Sequence, residues 1–138
     1  MLLHKDAKVE LISKAPLFAR CSKKQLQEIA KAADEIDLPA GKALTREGDR
    51  GREFFVLLEG DVEVTKGGKV INRLGAGDFL GEIALVSRAP RTATVTATSP
   101  VRALVITDQS FAALLDHSPS IQRSVIEALA DRLAPELL

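Results

Sequence analysis

Phe54-Phe55-Val56-Leu57-Leu58-Glu59-Gly60-Asp61-Val62-Glu63-Val64-Thr65-Lys66-Gly67-Gly68-Lys69-Val70-Ile71 is the stretch whose patterning sets the fold class. Residues 54–58 are an unbroken apolar run, short enough for a buried strand and ended by Glu59-Gly60. Val62 and Val64 then alternate with Asp61, Glu63 and Thr65, so successive side chains point to opposite faces and one face is wet. Lys66-Gly67-Gly68-Lys69 places two glycines where a tight hairpin turn needs them and returns the chain into Val70-Ile71. Working outward, Ile36, Leu38, Ala43 and Leu44 flank Pro39-Ala40-Gly41 as strand, turn and strand. Residues 94–98 and 101–107 add two strands around Ser99-Pro100. Short strands at this spacing predict a mainly β fold over 34–107, an eight-stranded antiparallel β-barrel or jelly roll, rather than a parallel sheet.

Helical periodicity brackets that region. Val9, Leu11 and Ile12 predict a short helix ending near Pro16, because a proline disfavours helix at the residue before it. Leu17 and Phe18 are expected in the core. Ser22 and Gln25 have the spacing of a capping box, ahead of a helix whose Leu26, Ile29, Ala30 and Ala33 share one face. The N-terminal helices thus span 5–33. Beyond residue 107, Asp108 is the predicted N-cap of a helix carrying Phe111, Leu114 and Leu115. Ser118-Pro119 reads as a second start, cap then first-turn proline. Ile121, Val125, Leu129 and Arg132 share a face with Leu133 beside it, and Pro135 is expected to end the helix near Ala134. The C-terminal helices then cover 108–134, and the chain reads as one domain over 1–138.

Composition narrows the function. The 19 basic and 19 acidic residues among 138 give a net charge of zero, so the chain lacks the basic footprint of a nucleic-acid binder. No apolar run approaches the ~18 residues of a membrane span, and the N-terminus has no signal-peptide core. The single cysteine, Cys21, forms no internal disulfide, which suits a reducing compartment. A small soluble cytoplasmic domain is the expectation. His4 and His117 stand far apart and, with one cysteine, do not supply zinc spacing or the histidine cluster of a cupin-like metalloenzyme. Neither a Gly-x-Ser-x-Gly elbow nor a Walker A pattern occurs. An enzyme is not expected.

Residues 75–95 carry the chemistry. Gly75, Gly77 and Gly81 are spaced G-x-G-x-x-x-G, which misses the dinucleotide fingerprint and lacks its parallel βαβ surroundings. A different phosphate logic fits. Gly81 removes a side chain where a ligand can approach, and 82–86 can form one helical turn whose leading N–H groups face an anion. Arg91 returns after Pro90 with a full charge and a fork of donors. Glu82 is an acid beside that anion site, a conflict resolved if the ligand carries a hydroxyl near its phosphate. A ribose phosphate is the inference.

Gly81-Glu82-Ile83-Ala84-Leu85 followed by Pro90-Arg91-Thr92-Ala93-Thr94-Val95 resembles the phosphate-binding cassette of the cyclic nucleotide-binding domain family. That family includes the catabolite activator protein, kinase regulatory subunits and nucleotide-gated channels. Pro16-Leu17-Phe18, Gly48-Asp49, residues 54–60 and Asp131-Arg132-Leu133 resemble its flanking elements, so the likeness covers about 9–134. It implies a cassette at 81–93 and a C-terminal lid helix. By the resemblance, Arg91 pairs with the cyclic phosphate and Glu82 accepts the ribose 2′-hydroxyl, while N–H groups around Ile83, Ala84 and Ala93 complete the cradle. Val64, Leu74 and Val95 resemble the wall against the base, Thr92 the hydroxyl that in some relatives accommodates guanine, and Arg132 a lid residue reaching the purine, with Leu129 and Leu133 beside it. Leu80 departs from the phenylalanine frequent before Gly-Glu.

The expected ligand is cyclic AMP, with cyclic GMP an alternative, and no cofactor or metal is expected. Signalling would follow from docking of the lid helix over the base. Two other readings stay open. One is a protein-interaction module with a degenerate pocket. The other is the effector half of a transcription regulator, which would need a DNA-binding helix-turn-helix that the sequence lacks after its lid helix.

Overall fold

The computed structural model describes residues 4–137, with side chains described as far as Asp131. Four helices flank eight strands: α1 Lys5–Ser13, α2 Lys23–Lys31, β1 Asp34–Leu38, β2 Ala43–Thr45, β3 Glu53–Glu59, β4 Val62–Lys66, β5 Lys69–Leu74, β6 Phe79–Leu80, β7 Thr94–Ala97, β8 Val101–Thr107, α3 Asp108–His117 and α4 Pro119–Leu137. Two 3-10 turns, Pro16–Phe18 and Glu82–Leu85, complete the set. The capping box of α2 is present: Gln25 N–H donates to Ser22 Oγ at 3.2 Å and Ser22 N–H to Gln25 Oε1 at 2.8 Å. No described helix is long and apolar enough to cross a membrane.

The strands make two four-stranded sheets, ordered β1-β8-β3-β6 and β2-β7-β4-β5, with every pair antiparallel. This is the jelly-roll alternative; the closed barrel is corrected. The turn after β1 carries β2 across to pair with β7, the turn after β7 carries β8 back to the first sheet, and β6, two residues long, pairs with β3. Apart from the β4-β5 hairpin, strands adjacent in sequence therefore lie in opposite layers, and the two sheets stay separate. The hairpin at Lys66–Lys69 forms where the two glycines predict it.

Alternation along β3 and β8 divides the interior into two cores. Phe54, Val56, Leu104 and Ile106 face the helices, while Leu57, Val101 and Ala103 face the other sheet with Val62, Val95 and Ala97. Phe18, buried as expected, meets Phe54 at a ring separation of 5.9 Å and Phe111 at 5.7 Å. Burying each such ring contributes about 1.5–3 kcal/mol. Glu35 of β1, its side chain 3% exposed, accepts from Arg102 of β8 at 2.9 Å and faces Lys8 of α1 at 4.0 Å, tying helix to sheet.

Two helix ends differ from expectation. Thr107, not Asp108, caps α3: it has extended backbone and its Oγ1 accepts Ser110 N–H at 3.1 Å, whereas Asp108 is already helical and favours the positive end of the dipole from the first turn. Helix α4 runs through Pro135 to Leu137. A proline so near the end deprives only one upstream carbonyl of its partner, and two further residues are carried along. Ile121, Val125 and Ala128 seat α4 in the core. It rests on the Pro16–Phe18 turn, Arg20 bonds Asp131 through two contacts of 2.6 and 3.0 Å, and Ser124 donates to Gln25 at 3.0 Å.

Candidate functional site

Strand β6 delivers the chain to Gly81, which adopts φ +80°, a left-handed conformation that turns the backbone into the Glu82–Leu85 turn. A Cβ there would strike the Arg91 guanidinium and lie 2.7 Å from the Glu53 carbonyl oxygen. Gly51 is also close-packed, since a Cβ would sit 2.9 Å from Arg91 Nε. The Arg91 side chain therefore threads between two glycines. Its backbone is held by reciprocal bonds, Gly48 N–H to Arg91 carbonyl at 2.9 Å and Arg91 N–H to Asp49 carbonyl at 2.7 Å. Its Nη2 donates to the Glu53 carbonyl at 2.6 Å. Burial lowers the guanidinium pKa, partly opposed by the charge of Glu53, and the group stays cationic. A cation half withdrawn from water attracts an anion strongly.

Arg91, Gly81 and Thr92 border two cavities. One, about 360 Å³, lies over the inner face of the second sheet and is also lined by Val64, Leu74, Val95, Ala93, Leu80, Phe79, Thr45 and Asn72. The other, about 330 Å³, is lined by Gly51, Ile83, Ala84, Ser87, Ala89 and Pro90. Each is within the scale of small-molecule pockets, roughly 300–1,000 Å³. The structure thus brings together Gly81, Ile83, Ala84, Arg91, Thr92, Ala93, Val64, Leu74 and Val95. Ala84 N–H is committed to the Gly81 carbonyl at 3.0 Å, so the N–H groups leading the turn are those of Glu82 and Ile83.

Glu82 points elsewhere. Its side chain is buried, lines neither cavity, and accepts the Leu17 N–H at 2.9 Å. The Arg132 side chain, with that of Leu133, lies outside the described residues, and no described residue of α4 lines either cavity. Sequence reasoning missed Thr45, Asn72 and Gly51. Asn72 was recoverable, because it is two residues from Leu74 on β5 and so shares its face. Gly51 and the Leu17 contact carry no local signal.

The sequence matches the cyclic nucleotide-binding domain family over residues 35–118. It is 37% identical over 109 residues to a cAMP-dependent protein kinase regulatory subunit of Mycosarcoma maydis, covering 72% of this chain and 21% of that protein. It is 35% identical over 123 residues to a cyclic nucleotide-gated potassium channel of Rhizobium etli, covering 89% of this chain and 34% of the channel. The chain thus spans between about a fifth and about a third of the length of these relatives. Among solved structures, the N-terminal domain of a transcriptional regulator from Streptomyces coelicolor superposes with a TM-score of 0.80 at 29% identity, covering 91% of this chain and 94% of that one.

Proposed function

The chain belongs to the cyclic nucleotide-binding domain family, and from that premise we propose that it is a regulatory sensor module binding cyclic AMP or cyclic GMP in the cavity that Arg91 borders. The observation that carries this reading is Arg91 itself, a half-buried cation wedged between Gly51 and Gly81 at the junction of two cavities. The cyclic phosphate meets the guanidinium and the leading N–H groups of Glu82 and Ile83. The base rests on Val64, Leu74 and Val95.

Glu82 reaches the ribose hydroxyl only by leaving Leu17, so ligand and the Pro16–Phe18 turn compete for one carboxylate. That turn supports α4, which Arg20 and Asp131 also hold. Released from this seat, α4 docks over the base with Arg132 toward the purine. Occupancy shifts the population in proportion to how much better the docked state binds. The domain signals from the cytoplasm and performs no reaction on its ligand. Its likeness to the Streptomyces regulator domain favours a second reading, the sensor half of a transcription regulator whose DNA-binding part is a separate domain.

Calorimetry on protein unfolded and refolded to strip retained nucleotide tests the proposal. Micromolar or tighter binding of either nucleotide is expected, with Arg91→Ala weaker by about 2–5 kcal/mol, the scale for truncating one side of a desolvated charge pair. Refolded protein that binds neither nucleotide, by heat or by competition, overturns it.

A further inference from the structure

The two sheets stay separate, so the sandwich is open along two edges. Strands β5 and β6 border one of them, and there Asn72, Leu74, Phe79 and Leu80 line the larger cavity. Strands β1 and β2 border the other, and another cavity of about 280 Å³ lies at that edge. It shares no lining residue with either cavity beside Arg91. Its volume is just below the roughly 300–1,000 Å³ of drug-sized sites, which suits a ligand of amino-acid size.

The walls follow from register. Phe55 of β3 is opposite Val105 of β8, and two residues along Glu53 is opposite Thr107. These positions have the parity of Leu57 and Ala103, so they face the other sheet. Ile36, opposite Ala103, and Leu38, opposite Val101, extend that face onto β1, and Leu44 of β2 closes it from the second sheet. Phe55 stands in its sheet between Val105 and Leu80, which divides this cavity from the larger one.

The polar side chains lining it are Lys42, Glu53 and Thr107. The Thr107 hydroxyl is committed to Ser110 at the start of α3. Lys42 and Glu53 make no ion pair or side-chain hydrogen bond among the described residues. Lys42 is exposed, with its backbone fixed by the Ala97 N–H, which donates to its carbonyl at 2.9 Å; Glu53 is half-buried. An acid withdrawn from water without a partner is costly, and a bound cation relieves that cost. One ligand satisfies both charges if it carries an ammonium and a carboxylate on an apolar body. The simplest such molecule is an apolar α-amino acid.

We propose that the β1/β2 edge of the sandwich is a second binding site, for a small apolar α-amino acid. Its ammonium meets Glu53, its carboxylate meets Lys42, and its side chain lies among Ile36, Leu38, Leu44, Phe55 and Val105. Glu53 joins this site to the first: its side chain lines this cavity, while its carbonyl accepts from Arg91 at 2.6 Å.

Amide shifts in nuclear magnetic resonance, read on the isotope-labelled full chain, test both the place and the chemistry. The probes are leucine, isocaproate, which is leucine without its amino group, and isoamylamine, which is leucine without its carboxylate. Leucine should give saturable shifts at Ile36, Leu44, Glu53 and Val105. Each analogue should bind about tenfold more weakly, the size of one contact to a charged group. Glu53→Gln should weaken leucine and isoamylamine but not isocaproate, and Lys42→Met should weaken leucine and isocaproate but not isoamylamine. No saturable shift with leucine, equal affinity for the three probes, or leucine binding unmoved by both substitutions overturns the site. Shifts centred on the residues around Arg91 overturn it as well. Cyclic nucleotide binding is read separately, and its failure leaves this inference standing.

Discussion

Gly81→Ala tests whether the cassette glycine exists for the guanidinium beside it. Two costs are separable. The residue sits at φ +80°, and a left-handed conformation costs an alanine about 1–2 kcal/mol. The added Cβ also strikes Arg91 and lies 2.7 Å from the Glu53 carbonyl, forcing apart a hydrogen bond of 2.6 Å. A bond to a charged group contributes about 1.5–3 kcal/mol. The sum is about 3 kcal/mol and approaches ~5 kcal/mol if neither term relaxes. Gly77→Ala is the internal control, because Gly77 has φ +91° with nothing within 4 Å of a built Cβ and so bears the backbone cost alone. The chain has neither tryptophan nor tyrosine, so urea unfolding is followed by far-ultraviolet circular dichroism. With a slope near 2 kcal/mol per molar, the Gly81→Ala midpoint should fall by about 1.5 M and that of Gly77→Ala by about half as much. Equal losses at the two glycines would refute the contact argument. So would full additivity of Gly81→Ala with Arg91→Ala, since residues in contact should couple.

Phe18→Ala should cost about 3–5 kcal/mol, the range for deleting a buried ring, because its side chain joins Phe54 and Phe111 at the centre of the helical core; a loss under ~1.5 kcal/mol in the same unfolding assay would deny it that place. Burial pushes the Cys21 thiol up to about 11 from 9.0. The thiolate is the reactive form, and two pH units are about a hundredfold in its population, so alkylation near pH 8 should be slowed by about that factor in the folded chain relative to the urea-unfolded one. Comparable rates in the two states would contradict the burial.

The strands were legible because their signals are local. Alternation at Val62 and Val64, the paired glycines at 67 and 68, and the cap at Ser22 each lie within a few residues of the structure they specify. The choice between barrel and open sandwich was not legible. It depends on which strand β2 and β8 join after their turns, and partners across 50 or more positions leave no mark in the spacing. The site divides in the same way. Gly81 and Arg91 followed from the motif, Thr92 and the apolar wall from the family resemblance, and all of them line one cavity. The orientation of Glu82 did not follow, because its partner, Leu17, lies 65 residues away and contributes a backbone N–H that any residue but proline would supply.

The division of the interior has a consequence for evolution. Because β3 and β8 send alternate side chains into separate cores, the first sheet is a party wall between the inter-sheet core and the helical annex. Helices on the far side can be exchanged, lengthened or joined to new neighbours without repacking that core, provided Leu17 or its replacement still meets Glu82. One sandwich can then stand beside parts as different as those of a kinase regulatory subunit, a potassium channel and a transcriptional regulator, the proteins this chain is similar to.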